Sequence, residues 1–355
     1  MIHLDFNKKL LSWDRKSNDR QMPWKGEKDP YRIWLSEIIL QQTRVEQGLD
    51  YYKKFIKAFP TVKRLAAAPQ QQVFKLWEGL GYYTRCRNLM AAAKRINTEY
   101  RGKFPDRYED ILSLPGVGSY TAAAIASFAF GLPYAVVDGN VQRVLSRYFG
   151  ISVPVQPAAG KKLYQVLADS LLDKKDPGKY NQALMDFGAT ICKPRNPDCR
   201  QCVQAKHCEA FQNHWVDLLP VRAKQPERKM RWFYYFIVET GDGKYWIRER
   251  NQRDIWENLY EFALWETGKL IPRNQIHKAA FLRELLGRMK YRIGHISGIS
   301  KQILTHQTVH GCFIHIKING RKRPPAGYLA VTLKELADYP FPNLIANYLP
   351  GLSPK

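Results

Sequence analysis

The sequence predicts a helical domain followed by a domain of mixed helix and strand, and three observations carry that expectation. Apolar residues recur with a helical period up to about residue 215. The stretch LLPVRAKQPERKMRW then combines two prolines and five basic residues with one acid and shows no clear period, as a linker does. Beyond it, WFYYFIVET (Trp232 to Thr240) and GCFIHIKI (Gly311 to Ile318) alternate as strands do, with a Gly-Asp-Gly turn at 241 to 243. The expected boundaries are 1–215, a linker over 216–229, and a second domain over 230–355. A chain of 355 residues with 45% hydrophobic composition is long enough to bury two cores.

Fifty-six Lys and Arg against 32 Asp and Glu leave a net charge of +24. Such an excess points to a polyanionic partner, with nucleic acid ahead of a membrane surface, because neutralising phosphates releases condensed counterions. The start, MIHLDFNKKLL, is too short and too charged for a secretory signal, so a cytoplasmic protein is expected. The longest uncharged stretch, Ile111 to Val137, has the length of a membrane span, but Pro115, Gly116, Gly118, Gly131 and Pro133 interrupt it. It reads as two buried helical pieces.

Within the helical part, Asp29-Pro30 supplies a cap and a first turn. The run that follows, WLSEIILQQT (Trp34 to Thr43), sets Glu37 among apolar neighbours. A helix over 31–46 would place Ile33, Glu37, Leu40, Gln41 and Arg44 on one face. Desolvation there favours the protonated carboxyl and makes Glu37 an acid near neutral pH; a salt bridge, for instance to Arg44, is the structural alternative. In ILSLPGVGSYTAAAIASFAFG, Gly116 and Gly118 free backbone N–H groups at a helix start, which suits a DNA phosphate or a tight helix connection. In PYAVVDGNVQRVLSRYFG, Asp138 reads first as an N-cap and second as an anion aimed into a cleft.

The cysteines give a sharper signal. Cys192, Cys199, Cys202 and Cys208 have the spacing C-x6-C-x2-C-x5-C, and a short loop of four thiolates converges on a metal centre. Zinc and an iron–sulfur cluster both accept such a set, so spacing alone leaves the metal open. Two disulfides are the competing reading. Lys193, Arg195, Arg200 and Lys206 between them would meet phosphates or solvent.

Together, MPWKGEKDPYRIWLSEIILQQT, WEGLGYYTRCRNL, LPGVGSYTAAAIASFAFG, VVDGNVQRV, NQALMDFGATIC and the four cysteines resemble the helix-hairpin-helix DNA glycosylases, and within them the MutY-type adenine DNA glycosylases. That resemblance implies a helical catalytic domain with a [4Fe–4S] cluster on the four cysteines. It implies removal, from double-stranded DNA, of adenine mispaired with 8-oxoguanine or guanine, by a monomeric, nucleoid-associated enzyme. Glu37 is then the acid and later the activator of water, and Asp138, with Asn140 beside it, the anion under the sugar. Tyr120 stands where the related endonuclease III branch has a lysine that forms a Schiff base. A monofunctional enzyme is therefore expected, with Tyr120 bonding near Asp138. The resemblance assigns the base pocket to Trp24, Lys25, Leu40 and Gln182, and the wedge to Gln42 and Thr43, with Leu80 and Tyr82 alongside.

Residues from about 230 look like the MutT-like domain appended to this family for 8-oxoguanine recognition, with RDIWENLYEFALWE as the best anchor. The nearest pyrophosphatase pattern, Arg283-Glu284-Leu285-Leu286-Gly287-Arg288, lacks both distal acids, so nucleotide hydrolysis is not expected. Relatives often recognise the lesion with a Phe-Ser-His loop. Thr308, Val309 and His310 align there and keep only the histidine. A bifunctional glycosylase for oxidised pyrimidines and a non-catalytic DNA-binding or electron-transfer protein are the alternatives; Tyr120 speaks against the first, and Glu37 with Asp138 against the second.

Overall fold

The structure, a computed structural model, describes residues 2–22, 24–222 and 227–352. Two compact units emerge: Met1–Ala67 with Arg87–Lys224, and Ala68–Cys86 with Gln225–Lys355. Part of the linker expected over 216–229, residues 223–226, lies outside the described residues.

In chain order the helices are α1 (Ile2–Ser17), α2 (Pro30–Leu40), α3 (Val45–Ala58), α4 (Val62–Ala67), α5 (Gln70–Trp77), α6 (Tyr83–Glu99), α7 (Tyr108–Leu112), α8 (Ser119–Phe130), α9 (Gly139–Tyr148), α10 (Ala158–Leu171), α11 (Pro177–Thr190) and the short α12 (Glu209–Gln212). Helix α2 begins where expected, because the Asp29 side chain accepts from the Tyr31 N–H and Pro30 fills the first turn. It stops at Leu40 rather than continuing to residue 46. Gln41 leaves helical dihedrals and Gln42 takes a φ of 57°, so Arg44 caps α3 instead of sharing a face with Glu37. The turn is tight: a Cβ on Gly48 would sit 2.7 Å from Leu40 Cδ2.

The uncharged stretch resolves into α7 and α8 joined by the glycine hairpin. Gly116 has a φ of 74°, and a Cβ there would meet Asn88 at 2.5 Å, so the bend admits glycine for two reasons. Helix α8 buries Ala122, Ala123, Ala124 and Ala126, and these small side chains let α2 pack closely against it. Among the described residues no helix is long and apolar enough to cross a membrane. The Asp138 side chain caps α9, which packs with α1, α10 and α11 around Phe6, Trp13, Leu145, Tyr164 and Phe187.

The second unit is built on an eight-stranded sheet: β1 (Lys229–Thr240), β2 (Lys244–Glu249), β3 (Tyr260–Glu261), β4 (Ala263–Thr267), β5 (Tyr291–Ile296), β6 (Ser300–Ile303), β7 (Gln307–Ile318) and β8 (Leu329–Thr332). The main path runs β3-β2-β1-β7-β5, with β4 on β1, β6 on β7 and β8 on β2. Strands β1 and β7 pair in parallel along their whole length, from Lys229 opposite Gln307 to Thr240 opposite Ile318. The middle of each is buried without a break, Phe233 to Val238 in β1 and Gly311 to Ile314 in β7, as suits central strands. Helix α14 (Ala280–Leu286), preceded by α13 (Arg273–Ile276), lays Leu282, Leu285 and Leu286 on one face over Tyr234, Phe236 and Ile314.

Residues 68–86, assigned by the sequence reading to the first domain, pack with this sheet unit. Helical periodicity says that a face is buried but not against which core. Here Gln71 and Lys75 donate to the carbonyls of Asp338 and Tyr339, and Glu78 accepts from the Phe341 N–H at 2.8 Å.

Candidate active site

In the first unit, α2, α8, α9 and α11 meet at a cleft of about 680 Å³. Its walls include Trp24, Lys25, Glu37, Leu40, Gln42, Thr43, Tyr120, Asp138, Asn140 and Gln182, so ten of the residues singled out in the sequence share one cavity.

Glu37 sits on the last turn but one of α2 and is only 7% exposed. Tyr120, on the first turn of α8, donates its hydroxyl to Glu37 Oε2 at 2.6 Å. Burial pushes the Glu37 carboxyl up to about 7; the Tyr120 hydrogen bond pulls it down, and the nearby Asp138 charge raises it again. Burial also holds the Tyr120 phenol well above its ordinary value, with the Glu37 and Asp138 charges adding to the effect. The Tyr120 bond expected near Asp138 goes to the carboxyl of α2, in the cleft that Asp138 also lines. The close packing of α2 on the small residues of α8 makes that reach possible.

Asp138 combines the cap and the cleft anion in one carboxyl. Its Oδ1 accepts from the Val141 N–H at 2.7 Å, and Oδ2 accepts from Asn140 Nδ2 at 2.6 Å. Burial raises it, and the Val141 and Asn140 bonds and the Arg143 charge lower it. Arg143 fixes Asn140 in turn by donating to its Oδ1 at 2.8 Å. The same guanidinium reaches the carbonyls of Gly188 and Cys192. Gly188 is required by proximity, since a Cβ there would lie 2.8 Å from the Asn140 carbonyl oxygen.

One residue that the sequence reading did not single out organises the cleft wall. Asp186, fully buried, accepts from Asn18, Arg20, Lys25 and Gln182, all at 2.8 to 2.9 Å. Its position one helical turn after Gln182 in NQALMDFG was the available signal, because an acid on the buried face of α11 demands partners.

Other expected site residues lie elsewhere. Gly116 and Gly118 form the turn before α8 and are not part of the cleft wall. Leu80 and Tyr82 belong to the second unit, where Leu80 is buried and the exposed Tyr82 hydroxyl meets Thr305 Oγ1 at 3.3 Å. Thr308, Val309 and His310 are inside β7, not in a loop, and the His310 ring stacks on Trp232 with centroids 4.3 Å apart. The β-branched pair Thr308-Val309 already favoured a strand.

All six cysteines are free, which removes the disulfide reading. Cys192, Cys199, Cys202 and Cys208 line one small cavity with Arg147, Ile191 and Phe211. Burial raises the thiols of Cys199, Cys202 and Cys208, that of Cys202 to about 12, so thiolates there require a compensating cation. Among the described residues no three His, Cys, Asp or Glu side chains are placed to hold a single metal ion. Four cysteine thiols around one cavity are the donor set of a thiophilic metal centre, which an iron–sulfur cluster or zinc would satisfy.

Residues 35–166 match the HhH-GPD superfamily of base excision DNA repair proteins, and residues 234–350 match the NUDIX domain. The adenine DNA glycosylase of Buchnera aphidicola subsp. Acyrthosiphon pisum is 37% identical over 261 residues, covering 72% of this chain and 73% of that protein. The chain belongs to the adenine DNA glycosylase family. Like other members, it is a DNA glycosylase of base excision repair. The human adenine DNA glycosylase is 42% identical over 218 residues, 58% of this chain and 39% of the human one. A solved thermostable thymine-DNA glycosylase superposes with a TM-score of 0.55 at 32% identity, over 59% of this chain and 97% of its own. An endonuclease III solved in a non-covalent DNA complex, at 20% identity and a TM-score of 0.52 over 60% of this chain and 98% of its own, shares the fold.

Proposed function

We propose that this adenine DNA glycosylase removes adenine mispaired with 8-oxoguanine or guanine from double-stranded DNA, and that it leaves the strand uncut. The observation that carries the reading is Glu37: a carboxyl nearly sealed from water and held by Tyr120, with Asp138 in the same cleft. The mispaired adenine leaves the helical stack and enters the cleft. Glu37 donates its proton to N7, so the glycosidic bond breaks with its electron pair departing on a neutral base. The ionised Asp138, fixed by Val141 and Asn140, stabilises the oxocarbenium character of the sugar. Glu37, now a carboxylate, takes the proton of the water that attacks C1′.

Position 120 offers a phenol, which cannot form a Schiff base, and of the three lysines that line the cleft Lys25 Nζ is engaged on Asp186 and Lys28 Nζ on the Phe128 carbonyl, while Lys179 sits at the start of α11. Cys192, Cys199, Cys202 and Cys208 would hold a [4Fe–4S] cluster, whose iron charge keeps buried thiolates ionised and so braces the loop after α11. The net charge of +24 and the hairpin glycines Gly116 and Gly118 support phosphate contacts by a monomeric, nucleoid-associated enzyme. The NUDIX unit, with His310, supports recognition of the 8-oxoguanine side.

A single-turnover assay on an A:8-oxoguanine duplex, run beside A:G and A:T duplexes, tests the proposal. Free adenine should appear from the first two, the strand should stay intact until alkali is added, and borohydride should trap no enzyme–DNA adduct. Trapping, or cleavage without alkali, would overturn the monofunctional assignment.

A further inference from the structure

Asp186 does more than neutralise two cations. Its Oδ1 accepts from Arg20 Nη1 at 2.8 Å and from Gln182 Nε2 at 2.9 Å, while Oδ2 accepts from Lys25 Nζ and Asn18 Nδ2, both at 2.9 Å. A buried carboxylate is acceptor-only. It therefore decides which end of the Gln182 amide faces it, a choice that is otherwise ambiguous for a glutamine. With Nε2 committed to Asp186, the Gln182 carbonyl oxygen is the end left for the cleft that Gln182 lines together with Glu37. Among the described residues no hydrogen-bond partner of that oxygen is recorded.

We infer that Asp186 is a specificity-determining positioning residue: it locks Gln182 as an acceptor, so that the cleft takes a purine carrying an exocyclic amino group at C6 and rejects one carrying a carbonyl there. The inference rests on the reading of Glu37 as the N7 acid. The N7/C6 edge of adenine presents an acceptor beside a donor, whereas that of guanine presents two acceptors. A protonated Glu37 and the Gln182 oxygen form the donor and acceptor pair that matches adenine. A base with O6 would set one lone pair against another inside a desolvated site, and sites of this kind reject such a mismatch strongly. Arg20 and Lys25, both on the cleft wall, take their own geometry from the same carboxylate, so one side chain sets three.

The experiment uses the full chain and duplexes carrying adenine or hypoxanthine opposite 8-oxoguanine, in single-turnover release. Asp186→Asn can donate as well as accept, which frees the Gln182 amide to turn. The adenine-to-hypoxanthine rate ratio should fall at least about tenfold relative to wild type. The Asp186→Asn/Gln182→Glu double variant keeps the total charge facing Arg20 and Lys25 and restores an acceptor-only group on the cleft side. It should recover the ratio to within about threefold of wild type. Thermal melting confirms that each variant is folded; if the single variant is not, the double variant alone carries the test. Equal slowing on both substrates in the single variant, or no recovery in the double variant, would overturn the inference. Absence of adenine release by the wild type would instead count against the glycosylase mechanism, so the two failures are distinguishable.

Discussion

Each unit buries a glutamate, and the two are treated in opposite ways. In the sheet unit Glu261, 1% exposed, is clamped by Arg248 and Arg250. Arg250 continues to Asp254, and Arg231 joins Asp254 to Glu266 at 2.7 and 2.6 Å. In the helical unit Glu37 is buried almost as deeply but receives a phenol, and among the described residues it has no salt bridge. A buried carboxyl clamped by cations serves as a structural counter-charge; Glu37, without them, holds its proton into the neutral range and is available to give it away. The partner, not the depth, separates architecture from chemistry.

Substituting the two glutamates should break this contrast most visibly. Glu37→Gln should still bind the mispaired duplex but lose roughly 10³-fold in single-turnover adenine release, in the range expected for a general acid. Asp138→Asn should be similarly impaired. Glu261→Gln should leave release per folded molecule intact and instead destabilise the sheet unit by about 3–5 kcal/mol, because two arginines lose a buried counter-charge. Denaturant titration reads that loss. If Glu261→Gln proved harmless to stability, the division of roles would fail.

The pH dependence sharpens the same contrast. An unfolded Glu37 ionises in the ordinary carboxylate range, while the folded one holds its proton to about 7. Release should therefore fall as pH rises through about 7. Folding stability should decline between the ordinary range and 7, since the unfolded state then binds fewer protons. Glu37→Gln should remove that decline, a gain of about 3 kcal/mol at pH 8. The Tyr120 bond lowers the carboxyl, so Tyr120→Phe should move the alkaline limb of the pH–rate profile upward; a downward move would contradict the role of the phenol. On the acid side, burial moves the limb set by Asp138 upward, against the Val141 and Asn140 bonds that lower it. The smallest effect concerns Tyr235, whose buried hydroxyl finds no partner among the described residues. Tyr235→Phe should leave the sheet unit unchanged or stabilise it by about 1 kcal/mol in thermal melts.

Much of this was legible in the chain. Asp29-Pro30 announced α2, the glycines announced the hairpin, and the apolar setting of Glu37 announced its burial. The break after Leu40 was not legible, because WLSEIILQQT keeps helical periodicity while tertiary packing against Gly48 turns the backbone. Partners were harder still: periodicity says that Asp186 and Tyr120 face inward, but only the approach of α2, α8 and α11 decides which atoms they meet. The same limit hid the allegiance of residues 68–86, whose amphipathic pattern fits either core equally well.

That last segment carries a practical consequence. Because Phe74, Trp77 and Tyr83 are buried in the unit that also contains the strands, the two units are not successive beads that scissors at the 223–226 junction would release intact. A polypeptide stopping at residue 222 would bring a bare aromatic surface into water, and one starting at 227 would lack the strip from Ala68 to Cys86 that closes its own edge. Dissecting this enzyme for separate study therefore calls for grafting that strip onto the sheet, or for point substitutions in the whole chain.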